Sequence, residues 1–176
     1  MVPISTRDDL IVRDEKPDAG ELSKIHSLHV AAFGHNNEAD LIDGLRAEGV
    51  IIRSLVAELQ GSVVGHVLFS RMMIDTTENS IPAAALAPIS VLPKYQCQRI
   101  GECLVRRGLD ISRDSGERIV IVLGHPDYYS RFGFSSQKAQ FLESPFPPEA
   151  FMALELSHGA LSGIRGKVRY PAAFGL

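Results

Sequence analysis

Residues 118–123, Arg-Ile-Val-Ile-Val-Leu, set the tightest limit on how this chain can fold. A continuous β-branched run of this kind is a strand with apolar side chains on both faces, so both faces must be covered by other elements. The cover can be read around it. From Ile100, apolar residues recur at Ile100, Leu104, Gly108 and Ile111 and stop near Gly116, the pattern of an amphipathic helix. Leu22, Ile25, Leu28 and His29 keep helical spacing between Pro17-Asp18 and Phe33. After the loop Gly34-His35-Asn36-Asn37, a second helix runs from about Glu38, with Leu41, Ile42 and Leu45 on one face and Gly49 as its stop. Strands are predicted at Leu10–Arg13, at Ile52–Leu59 before the hairpin signal Gln60-Gly61-Ser62, at Val63–Ile74 and at Ile81–Val91. Pro126 opens a helical turn leading into Tyr128 and Tyr129, and the tail carries strand-like segments at Phe151–Leu156 and Gly166–Tyr170. The order β-α-α-β-β-β-α-β-α-β-β predicts an α/β (α+β) fold, a mixed sheet flanked by helices. A single domain over residues 1–176 is expected, with its core in about 10–134 and C-terminal strands and loops in about 135–176.

Charge narrows the partners. The net charge of −3 and the pI near 6.1 leave no electrostatic footprint for nucleic acid. The arginines are local (Arg99, Arg106, Arg107, Arg113, Arg118), so any anion they serve is small. No apolar run approaches the roughly 18–20 residues needed to span a bilayer, and MVPISTRDDL lacks the basic-then-apolar order of a signal peptide. Cys97 and Cys103 form neither a C-x-x-C pair nor a disulfide framework, and no metal site is expected. A cytoplasmic protein, monomer or homodimer, is the expectation.

One segment carries chemistry. Ile89-Ser90-Val91-Leu92 is a short apolar strand end, Pro93-Lys94-Tyr95-Gln96-Cys97-Gln98 a polar turn, and Arg99-Ile100-Gly101-Glu102 the entry to a helix. A helix start exposes unpaired backbone N–H groups where the macrodipole favours negative charge, so the turn is a place for a phosphate. A second segment, Tyr129-Ser130-Arg131-Phe132-Gly133-Phe134, puts a tyrosine four residues ahead of a Gly-Phe pair.

Together these segments resemble the GNAT-type N-acetyltransferase superfamily. The family's cofactor motif, Gln/Arg-x-x-Gly-x-Gly/Ala between a strand and a helix, falls on Gln96-Cys97-Gln98-Arg99-Ile100-Gly101, and its Tyr and Gly-Phe signature on Tyr129, Gly133 and Phe134. The wording of Leu123 to Tyr129 and of Pro145 to Glu155 is similar to a bacterial subgroup whose substrates are mostly unassigned. Element order agrees from about Leu10 to Phe134. The resemblance implies a mostly antiparallel central sheet, acetyl-CoA as donor, and a primary amine of a small molecule or peptide as acceptor. It also implies that the backbone of Ile89, Ser90 and Val91 pairs with the pantetheine amides, while Gln96, Cys97, Gln98, Arg99, Ile100, Gly101 and Glu102 hold the pyrophosphate. Successive turn amides suit that task at little entropic cost. Arg99 departs from the motif's first glycine. If that position has φ > 0, a non-glycine residue costs on the order of 1–2 kcal/mol. Either the loop takes a shape arginine tolerates, or the side chain meets a phosphate, or it faces solvent.

Acetyl transfer poses two proton problems. An alkyl ammonium with a pKa near 10.4 is neutral in only about one molecule in several thousand at pH 7, a handicap of roughly 4–5 kcal/mol. A base must take that proton, and an acid must meet the departing thiolate. Tyr129 matches the family position for the general acid, and Tyr128, one residue earlier, is expected to face elsewhere. Glu38 is the candidate base, although a glutamate in a first helical turn also complements the dipole. His66 within a strand and His125 beyond the buried strand are further candidates. His125 could instead cap the following turn. His26 and His29 lack a third ligand for a metal, and Cys97 is read as structural or incidental rather than nucleophilic. A different class of protein, an acyl-CoA-binding sensor without turnover, fits the same loop. Phe146, Phe151 and Phe174 either line an acceptor site or fill space.

Overall fold

The structure, a computed structural model, describes residues 9–176. The leader reading made on the N-terminus falls almost wholly on residues 1–8 and lies outside the described residues. Strands β1 (Leu10–Asp14), β2 (Ile51–Leu59), β3 (Ser62–Asp75), β4 (Ser80–Val91), β5 (Ile119–Leu123) and β7 (Phe151–Glu155) lie in the order β1-β2-β3-β4-β5-β7. β8 (Gly166–Arg169) pairs with Met73–Asp75 of β3, where β2 has already ended at Ser70, and β6 (Leu142–Glu143) pairs with β8. β6 is a two-residue addition to the predicted order. It is too short to leave an alternating pattern in the sequence. Only β4–β5 and β6–β8 are parallel among the pairs within the described residues, so the sheet is mostly antiparallel.

β5 shows why its sequence required two covered faces. Ile119, Val120, Ile121 and Val122 are each 2% exposed or less. Val120 and Val122 turn to the side where α3 (Ile100–Asp114) packs through Ile100, Leu104, Val105 and Leu109. Ile119 and Ile121 turn to the side covered by Phe151, Ala160 and the C-terminal segment. Burial of each such side chain contributes about 1.5–3 kcal/mol. Gly108 lets α3 approach closely: a Cβ there would lie 2.3 Å from Cε2 of Phe69.

α1 (Ala19–Phe33) and α2 (Asn37–Ala47) cover the other end of the α3-distal face, where Ile25, Ile42 and Leu45 meet Val56 and Leu68. α1 starts at Asp18, whose side chain accepts from the Glu21 N–H, and stops at Gly34 with φ +80°. α2 begins at Asn37, one residue before the expected start, which places Glu38 in its first turn.

Candidate active site

β4 and β5 keep register only at Ala84↔Val120 and Ala85↔Ile121. Pro88 has no N–H to continue a ladder, and beyond it the two strands line opposite walls of a cavity of about 680 Å³. Leu86, Pro88 and Ile89 form one wall; Ile121, Leu123 and Gly124 form the other. Tyr128 and Tyr129 of α4 (Pro126–Tyr129) reach it from the α3 side, while Phe33, Glu38 and Leu41 reach it from α1 and α2. The gap in the sheet therefore joins its two faces.

Toward α3 the cavity gives way to a groove along the end of β4. Leu92 N–H donates to Val64 O, so by strand alternation Ile89 and Val91 turn their backbone groups away from β3 and toward the gap. Val91 O is taken by the Gln96 side-chain amide at 3.0 Å, which ties the loop back onto the strand. Ser90 turns its backbone to β3 instead; its side chain is buried and Oγ has no partner among the described residues. In the loop, Cys97 (φ +59°) and Arg99 (φ +66°) are both left-handed, so the motif's first glycine position does require φ > 0 here. The exposed Arg99 guanidinium is held by Glu102, at 3.1 and 3.2 Å. Arg99 and Arg106 beside it lower the Glu102 carboxyl to a pKa of about 2. Gln98 is exposed and its amide donates to Lys94 O.

The first intrahelical bond of α3 runs from Cys103 N–H to Arg99 O, and Arg99 offers no side-chain cap. The N–H groups of Ile100, Gly101 and Glu102 are consequently without helical partners. Gly101 rests on Ile89 and Val91, and a Cβ there would stand 2.9 Å from the Tyr128 hydroxyl. This is a cradle built of backbone, with no room for a side chain.

The two tyrosines differ from expectation in one respect. Tyr128 does not face elsewhere: α4 is four residues long, and both rings, perpendicular with centroids 5.0 Å apart, border the cavity. Tyr128 also faces the groove over Gly101. Tyr129 is 7% exposed, its ring pressed on Gly124, where a Cβ would lie 2.3 Å from Cε2. Burial raises the pKa of both hydroxyls. Gly101 and Gly124, each leaving space for one of the rings, were the sequence signal for the pair.

Glu38 borders the cavity from the α2 side. Its Oε2 is buried and lies 3.0 Å from His35 Nδ1, off the direction of a hydrogen bond. His125 borders the same cavity; its backbone carbonyl, not its side chain, accepts from Tyr128 and Tyr129 N–H. His66 is fully buried and bonded through both ring nitrogens, to His29 and Ser54, away from the cavity lining. His26 turns to Asp43 at 3.3 Å, so the two helix histidines do not converge. Cys97 is exposed in the loop. Phe146 and Phe174 line the cavity together with Tyr170, which sequence reading overlooked, whereas Phe151 is core, 3% exposed. Phe146 is far from Tyr170 and Phe174 in the chain, and no local period pairs it with them.

The profile of the acetyltransferase (GNAT) domain matches residues 15–136. The chain belongs to the GNAT acetyltransferase family. Within it, the chain is 35% identical over 153 residues to the uncharacterised N-acetyltransferase YhbS of Escherichia coli, covering 85% of this chain and 90% of that one. It is 36% identical over 137 residues to the uncharacterised N-acetyltransferase YjhQ of the same organism, covering 75% and 76%. The crystal structure of Escherichia coli YhbS in complex with CoA superposes with a TM-score of 0.86 over 96% of this chain and 93% of that one. A GNAT acetyltransferase of Brucella melitensis in complex with acetyl-CoA gives 0.78 over 94% and 97%, at 33% identity. The α/β fold with its mostly antiparallel sheet is thus the family's fold. No helix among the described residues is long and apolar enough to cross a membrane.

Proposed function

We propose that this chain is an acetyl-CoA-dependent N-acetyltransferase that acetylates a primary amine of a small molecule or peptide. The observation that carries the reading is the gap between β4 and β5, where a backbone cradle at the start of α3 meets a chamber bordered by Glu38, the two sharing Ile89, Gln96 and Tyr128 in their lining. Donor and acceptor can then meet where the groove and the chamber adjoin. YhbS and the Brucella melitensis relative were solved with CoA and acetyl-CoA, which supports the same donor here.

Acetyl-CoA, when bound, supplies the acetyl group as a thioester. The outward backbone groups of Ile89 and the Val91 N–H are suited to its pantetheine amides, and the free N–H groups of Ile100, Gly101 and Glu102 to its pyrophosphate. Cys97 and Arg99 give the loop its left-handed turns, with Gln96 and Gln98 tying it down. Glu38 accepts the proton that the incoming ammonium must lose, directly or through a water. The amine nitrogen then bonds to the acetyl carbon, the carbon–sulfur bond breaks, and the nitrogen gives up its second proton to solvent to leave a neutral amide. Tyr129 donates its hydroxyl proton to the departing sulfur and is reprotonated from solvent. Burial keeps that hydroxyl protonated at neutral pH.

The test is calorimetry of acetyl-CoA binding beside thiol release with a panel of amines. Binding with amine-dependent thiol release is the expected result. Binding without release across a broad panel would make the chain an acyl-CoA sensor.

A further inference from the structure

The acceptor chamber has a composition of its own. Glu38 is the single carboxylate bordering it, and among the described residues neither lysine nor arginine does. Its far wall is aromatic. Phe146 and Tyr170 meet edge to face with centroids 5.8 Å apart, and Tyr170 and Phe174 follow at 4.8 Å. Burial raises the Tyr170 hydroxyl pKa, so that ring is neutral as well. The wall is anchored rather than loose. The Ala172 and Ala173 N–H groups donate to the Glu48 carboxylate at the end of α2, and Ala173 packs where Gly44 leaves room for it.

Each class of amine brings a different charge pattern to this chamber. An α-amino acid brings a carboxylate for which the lining offers no lysine or arginine, only the imidazole of His125. A polyamine or an aminoglycoside brings further ammonium groups, for which a single carboxylate is available. A charge buried without a partner costs far more than an apolar contact returns. A monoamine with an apolar body leaves nothing unpaired, and rings already held in place lose little freedom on binding it. A chamber of about 680 Å³ is of ordinary size for a small organic ligand.

Resting on the acetyl-transfer reading above, we propose that the acceptor is a singly charged primary amine on an aromatic or branched aliphatic body. Its ammonium is directed at Glu38 and its body lies against Phe146, Tyr170 and Phe174. The side chains of this wall, rather than a set of polar contacts, determine which amines enter.

The experiment measures thiol release at saturating acetyl-CoA with 2-phenylethylamine, 3-methylbutylamine, spermidine, kanamycin, L-lysine and a short peptide with a free N-terminus. Calorimetry follows binding of the same amines to the CoA-loaded protein. The two apolar amines should exceed the others in kcat/KM by at least about tenfold. Phe146→Ser and Phe174→Ser should remove most of that advantage while acetyl-CoA affinity stays within about twofold. Efficient acetylation of a polyamine, aminoglycoside, amino acid or peptide in preference to the apolar amines overturns this proposal and leaves the transfer reading intact. Binding of the apolar amines without acetylation of any amine overturns the transfer reading and keeps the ligand class. Selectivity unchanged in folded Phe146→Ser and Phe174→Ser proteins also overturns the proposal; the wild-type panel decides the matter if either variant fails to fold.

Discussion

Nε2 of His29 on α1 lies 2.9 Å from Nδ1 of His66 on β3, and neither ring is exposed to solvent. The contact belongs to a longer chain. His66 Nε2 is 2.8 Å from Ser54 Oγ, Ser54 donates to Glu15 Oε2, and Arg46 holds both Glu15 oxygens at 3.0 Å. Because Ser54 spends its proton on Glu15, His66 must donate through Nε2, which leaves Nδ1 to accept from His29 Nε2–H. Both imidazoles are therefore neutral, and among the described residues the His29 Nδ1 lone pair has no partner. The chain ties α1, α2, β2 and β3 together.

Acid should loosen that tie. Burial, with a smaller contribution from His26, lowers the His29 pKa to about 4, and burial together with His29 and Arg46 pushes His66 well below its usual value. A base depressed on folding stabilises the native state fully above its unfolded pKa of about 6.5, and that stability is lost as pH falls toward the folded value. From pH 7 to pH 5, His29 alone should cost about 2 kcal/mol. Carboxylates held low by ion pairs, such as Glu21 at about 2, lose their contribution only below pH 4.5. Urea midpoints at the two pH values check this, and a His29→Leu/His66→Leu protein should show a much flatter dependence. An equal slope in both proteins would refute the assignment.

Tyr129→Phe should lower kcat at least about tenfold with little change in acetyl-CoA KM. The hydroxyl is buried and its pKa raised, so wild-type kcat should not fall on the alkaline side before about pH 10. Steady-state kinetics of Tyr129→Phe and Tyr128→Phe separate the two neighbours, since Tyr128 also reaches the groove over Gly101. Unaltered turnover in Tyr129→Phe removes it from proton transfer.

Arg99→Gly should keep the fold, with an unchanged or higher Tm, because glycine takes φ +66° freely. Acetyl-CoA affinity should stay within about tenfold, since Glu102 occupies the guanidinium. A much larger loss, read by calorimetry, would make Arg99 a principal phosphate ligand. Gly101→Glu should be worse, setting bulk against the Tyr128 hydroxyl and negative charge beside the free amides.

What could be read in the sequence was what is local. β5 was legible because two-sided burial abolishes its alternation, and α3 because its apolar face repeats within one element. The loop at Gln96–Gly101 was legible in its shape, since a strand end, a turn and a helix start are adjacent in the chain. His29 and His66 were not legible as a pair: helical spacing made one a face residue, the other stood in a strand, and only packing joins them. Tyr128 was misjudged by treating α4 as a regular helix when it is a single turn. The wall of Phe146, Tyr170 and Phe174 depends on where the tail returns to the sheet, which no local pattern encodes.

Two glycines allow a sharper test of Tyr129 than its own replacement. A Cβ at Gly124 and a Cβ at Gly108 would each stand 2.3 Å from an aromatic Cε2, of Tyr129 and Phe69 respectively. Neither position has positive φ, so alanine meets no backbone penalty at either, only the ring. Each overpacking should cost about 1–3 kcal/mol, giving similar falls in Tm. The consequences for catalysis should differ. Gly108 and Phe69 are absent from the cavity lining, so Gly108→Ala should keep kcat within about twofold at a temperature where it is folded. Gly124→Ala displaces the Tyr129 ring and should lower kcat about tenfold or more, with acetyl-CoA affinity changed less than about threefold. Thermal melts and steady-state kinetics on the pair separate loss of position from loss of stability. Equal kcat in the two variants would mean that the placement of the Tyr129 ring does not matter to the reaction.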